Sequence, residues 1–81
     1  MDKVYIVCQK VFFENTMVDI YIMKVVTDLE KAKDEMQKQA KNCILGDSKW
    51  SQTDTNGVNF IELKNGLYTR RYYILEKFID E

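Results

Sequence analysis

Residues 27–46 read TDLEKAKDEMQKQAKNCILG. They decide the fold because they alone carry a clear helical period. Leu29, Ala32, Met36, Ala40, Cys43 and Ile44 recur at spacings of three and four, which sets them on one face of a helix. Glu30, Lys31, Lys33, Asp34, Glu35, Lys38 and Lys41 fill the other face. Within it, Lys31 with Glu35 and Asp34 with Lys38 stand at i, i+4, each pair worth about 0.3 kcal/mol. Thr27 is positioned as the N-cap, with Glu30 completing a capping box. Gly46 is positioned to end the helix in the left-handed conformation. The pattern is that of an amphipathic helix lying on a sheet with its charged face in water.

Outward from the helix, both arms read as β-strand. Toward the N-terminus, Val4–Phe13 and Met17–Val26 are β-rich runs separated by Glu14-Asn15-Thr16, a spacing that suits a three-residue hairpin loop. Pairing Phe13 with Met17 puts Val4, Ile6, Cys8, Phe12, Val18, Ile20, Ile22 and Val26 on one face, interrupted by Lys10 and Lys24. The other face takes Tyr5, Val7, Val11, Phe13, Met17, Tyr21, Met23 and Val25, interrupted by Gln9 and Asp19. The aliphatic first set is the expected floor for the helix. The second set then faces outward, yet it is almost as apolar.

Toward the C-terminus, residues 47–55 are polar apart from Trp50 and suit either a loop or a short edge strand. Asn56-Gly57 and Asn65-Gly66 are signatures of tight type I′ turns. The second joins two strand-like runs, Val58–Lys64 and Leu67–Leu75. Pairing Lys64 with Leu67 places Ile61, Leu63, Tyr68, Arg70, Tyr72 and Ile74 on the expected inner face. Phe60, Glu62, Arg71 and Tyr73 fall on the outer one. The tail ILEKFIDE fits a helical turn or a strand, with continued strand the expectation.

The whole is a single α+β domain over residues 1–81: an antiparallel sheet of four to five strands, in ββαββ order, with one helix on one face. A chain of 81 residues buries only about 60–65% of its unfolded surface, so it is marginal alone and gains from a partner. Twelve basic residues against thirteen acidic ones argue against a strongly basic nucleic-acid binder and against a highly acidic mimic of nucleic acid. Cys8 and Cys43 are too few for a disulfide framework and read as small buried residues in a reducing compartment. No apolar run approaches the ~20 residues of a membrane span, and the start lacks a secretory pattern, so a cytoplasmic location is expected.

Catalysis is not expected. The chain has no histidine, the usual general base at neutral pH, and Cys8 lies mid-strand with nothing cationic adjacent in sequence to activate it. Two isolated cysteines cannot close a zinc site, so neither metal nor cofactor is expected. Two surfaces remain. The first is the outward set Tyr5, Val7, Val11, Phe13, Tyr21, Met23 and Val25, since a contiguous exposed apolar patch marks a partner contact. A symmetric homodimer is its simplest occupant. The second is a group of Phe60, Arg71, Tyr73 and Trp50, where rings and a guanidinium could stack on and pair with single-stranded nucleic acid.

The run Met23-Lys24-Val25-Val26-Thr27-Asp28-Leu29-Glu30-Lys31-Ala32, with aromatic-rich strands on either side, resembles small ββαββ proteins of unknown function from bacteriophages and mobile elements of low-GC Gram-positive bacteria. Some phage-encoded inhibitors of host defence, anti-CRISPR proteins among them, have this size and acidic-to-neutral balance. The resemblance is one of pattern over most of the chain and assigns no residue a role. It implies a binding protein that acts on another macromolecule; from a phage, it would inhibit a host enzyme by occluding a surface.

Overall fold

Two tight hairpins fix most of the architecture. The structure, a computed structural model, describes residues 2–55 and 60–79, with residues 53–55 described by their backbone alone. Strands β1 (Asp2–Phe13) and β2 (Thr16–Val26) are joined by Glu14-Asn15, both at positive φ (50° and 71°). That is the two-residue turn whose twist matches the flanking strands. Thr16 therefore belongs to β2 and pairs with Phe13, so the expected three-residue loop is shorter by one. The expected register does hold from Cys8–Ile22 to Val11–Asp19. It is bounded by two bulges, since Val18 and Met23 are skipped in the pairing. Each bulge admits one extra residue and reverses the alternation beyond it.

The helix α1 spans Leu29–Gly46. Its N-cap is Asp28 rather than Thr27: the Asp28 carboxylate accepts from the Glu30 N–H at 2.8 Å, and its charge complements the helix N-terminus. Replacing it by alanine, Asp28→Ala, is expected to cost about 1 kcal/mol in urea unfolding, with Thr27→Ala close to neutral. At the other end Gly46 stays helical. The chain leaves through extended Asp47, whose N–H donates to the Cys43 carbonyl at 3.1 Å. Asp47 then holds a turn, its carboxylate accepting from the Lys49 N–H and its carbonyl from the Trp50 N–H. The turn swings Trp50 back into the core.

Strand β3 (Ser51–Thr55) is a short edge strand, followed by β4 (Phe60–Asn65) and β5 (Tyr68–Ile79). Asn56-Gly57 and Val58 lie outside the described residues. The β4–β5 loop is Gly66-Leu67 with Gly66 at φ 61°, so glycine takes the first loop position instead of the second. Lys64 consequently pairs with Thr69, two residues beyond the expected Leu67. A shift of two preserves alternation, and the faces of this hairpin stand as read from the sequence. The tail continues as strand to Ile79.

The five strands form one antiparallel sheet in the order β2-β1-β5-β4-β3. The long β1–β5 pairing, Asp2 with Ile79 through Phe13 with Tyr68, unites the two hairpins. It sets Val7 beside Ile74 and Gln9 beside Tyr72, so the odd-numbered residues of β1 share a face with the inner residues of β5. The helix covers that face. Val7, Ala32, Met36, Ala40, Trp50, Ile61, Leu63 and Tyr72 form the core, with Tyr5, Met23, Val26, Cys43, Ile44 and Ile74 packed around it. The one buried polar side chain among the described residues, Gln9, donates from Nε2 to the Tyr72 hydroxyl at 2.9 Å. This bond satisfies two groups that would each be costly unpaired.

Candidate functional site

The β1–β5 register reverses the expected face of the first hairpin. Val7 has no exposed surface, and Tyr5 and Met23 pack against the core beneath the helix. Val11 lies half-buried on the same side beside Arg70, and Phe13 rests on the Tyr68 ring there, with centroids 4.9 Å apart. Tyr21, half-exposed, is also on the helix side; its hydroxyl donates to Asp19, which pushes the phenol up from its usual pKa. Only Val25 of the expected set faces outward, because the bulge at Met23 turns it to pair with Ile6. A volume signal was present in the sequence. The inner helix face offers the small Ala32 and Ala40, so the sheet beneath needs large side chains such as Tyr5, Met23 and Tyr72 to reach close packing.

The face left open is the one read as the floor. Its residues fall in rows across the strands: Val25–Ile6–Leu75, then Ile22–Cys8–Tyr73–Phe60, then Ile20–Lys10–Arg71–Glu62, then Met17–Phe12–Thr69–Lys64. Val4 and Lys77 precede the first row. No element crosses this face among the described residues. Met17, Ile20, Ile22, Val25, Leu75 and Ile79 are exposed, Ile22 at 71%.

The face has two characters. Over β2 and the adjoining part of β1 and β5 it is aliphatic. Toward β4 it is a lattice of rings and cations: the Arg71 guanidinium lies 5.3 Å from the Phe60 ring centre and 5.6 Å from that of Phe12, and pairs with Glu62 at 2.8 Å. Lys10 sits 5.0 Å from the Tyr73 ring centre. Phe60, Arg71 and Tyr73 thus share the open face as expected. Trp50 does not join them. It is 9% exposed in the core on the opposite side, with the Arg70 guanidinium 4.7 Å over its ring.

Cys8 is central to the open face yet 3% exposed, and burial pushes its thiol up, against a smaller opposing pull from the Tyr73 hydroxyl and Lys10. A thiol held protonated at neutral pH is a poor nucleophile. Burial likewise raises the Tyr73 phenol. Among the described residues no group of three His, Cys, Asp or Glu side chains is placed to hold a metal ion, and no helix is long and apolar enough to cross a membrane. Comparison of the chain with protein-family models, curated proteins and solved structures found no match.

Proposed function

We propose that this protein is a non-enzymatic protein–protein interaction module that works by burying the open sheet face against another folded chain. The observation that carries the reading is the pair of apolar rows Val25–Ile6–Leu75 and Ile22–Cys8 on a face that no element covers among the described residues. A sheet with two apolar faces is ordinarily covered on both. Occlusion of a host enzyme, the role implied by the resemblance to phage proteins, is one use of such a module.

The nucleic-acid reading is weaker on this geometry. Bases stack on open ring faces, whereas Arg71 and Lys10 already sit over Phe12, Phe60 and Tyr73. Fluorescence anisotropy with labelled single-stranded DNA and RNA at about 50 mM salt is expected to show no saturable binding. Binding that weakens steeply with added salt and is lost in Arg71→Ala would replace this function with nucleic-acid recognition.

A further inference from the structure

We infer that the chain covering the open face is a second copy of this protein, packed sheet against sheet about a two-fold axis. The inference rests on the reading of that face as a contact surface and names its occupant.

Area is the first argument. Strands β1 and β5 have 12 residues each and β2 has 11. At ~3.3 Å per residue and ~4.8 Å between strands, with β3 and β4 half as long, the face measures roughly 750 Å². A stable interface takes about 800 Å² from each partner, so the face is of the size that a dimer needs.

Side-chain type is the second. Aliphatic residues on a pleated surface are what two sheets interdigitate at ~10 Å separation in a sandwich. The exposed Ile20, Ile22, Val25 and Leu75 are of this kind.

Charge is the third. The cations at the centre of the lattice are engaged within the chain, Arg71 by Glu62 and two rings, Lys10 by Tyr73. With a net charge of −1, two copies approach without appreciable repulsion. The remaining cations of the face, Lys64 and Lys77, lie at its two ends, where the rim of a dimer leaves them in water.

The edge of the sheet offers no better route. Strand β2 is long and apolar, but its bulges at Val18 and Met23 break the flat ladder that strand addition requires. The core under the helix is also thin for a five-stranded sheet, and a copy of the same chain is the one cover present whenever the protein is made.

The test is the solution mass by light scattering across a dilution series, for wild type, Ile22→Asp and the control Leu45→Asp, with binding of the apolar dye anilinonaphthalene sulfonate measured in parallel. Leu45 is 73% exposed at the end of α1, away from the open face. The expected result is a wild-type and Leu45→Asp mass of about 19 kDa, twice the chain's 9.6 kDa, and a twofold fall to 9.6 kDa for Ile22→Asp. Val25→Lys serves as the second open-face variant should Ile22→Asp not fold. A monomeric wild type that binds the dye, and loses it in the open-face variants, would overturn the second copy and leave the interaction surface standing. A monomer that binds no dye, or a dimer indifferent to both open-face variants, would overturn the surface as well.

Discussion

Val7→Asp is expected to leave the chain unfolded, while Ile22→Asp leaves it folded with an unchanged far-ultraviolet circular dichroism spectrum. The two positions stand near one another on paired strands and both carry β-branched aliphatics, so local propensity does not separate them. The sheet does. Val7 is sealed between α1 and the sheet, beside Ile74 and Tyr72. A carboxylate there is cut off from water, and the nearest cation, Lys24 on the paired strand, is already engaged by Glu35 at 3.7 Å; the burden is about 4 kcal/mol. For a chain of this length, that is comparable with the whole stability at ~0.05–0.15 kcal/mol per residue. Ile22 points to the open face, where an aspartate stays hydrated once the copy is lost. A folded Val7→Asp together with an unfolded Ile22→Asp would put the helix on the other side of the sheet.

The second large effect belongs to Met36. It lies at the middle of α1, 1% exposed, between Ala32 and Ala40, and it is the only large side chain that the helix drives fully into the core. Met36→Ala removes that volume where two alanines leave nothing to collapse into the gap. A loss of about 2–5 kcal/mol follows, read as a lower urea midpoint with unchanged slope. In thermal unfolding the midpoint falls by roughly 4–8 °C per kcal/mol in a domain of this size. Leu45→Ala, on the exposed last turn, is expected to shift stability by no more than about 0.5 kcal/mol. Comparisons are made at one protein concentration, since an associating chain gains stability with concentration.

Much of the fold was legible because it is written locally. The spacing of Leu29 through Ile44 marks the helix, the segments Glu14-Asn15-Thr16 and Asn65-Gly66 place the two hairpins to within one residue of their loops, and alternation sorts Ile61, Leu63 and Tyr72 from Phe60, Glu62 and Arg71. What local pattern cannot carry is the pairing of β1 with β5, whose partners lie 55 to 77 positions apart in sequence. That register alone decides which face of the first hairpin the helix covers. Both faces of β1 and β2 are apolar, so hydrophobicity does not discriminate, and the aliphatic set reads as the floor. The size of the helix residues does discriminate: Ala32 and Ala40 call for Tyr5, Met23 and Tyr72 beneath them.

Smaller differences have local causes. A bulge at Met23 leaves Val25 outward and Val26 against the core, as read, while the rest of the hairpin is reversed. The charged Asp28 outcompetes Thr27 for the cap one residue later. Trp50, read as a surface ring in a polar segment, is carried inward by the Asp47 turn and covered by Arg70.

The most direct measurement is methyl NMR of the wild-type protein at high concentration with a soluble nitroxide that attenuates exposed groups. The methyls of Ile6, Ile22, Val25 and Leu75 are predicted to keep their intensity as well as those of core residues Val7 and Leu63, while Leu45 is attenuated. Attenuation of the four open-face residues as strong as that of Leu45 would contradict a second copy packed on the sheet.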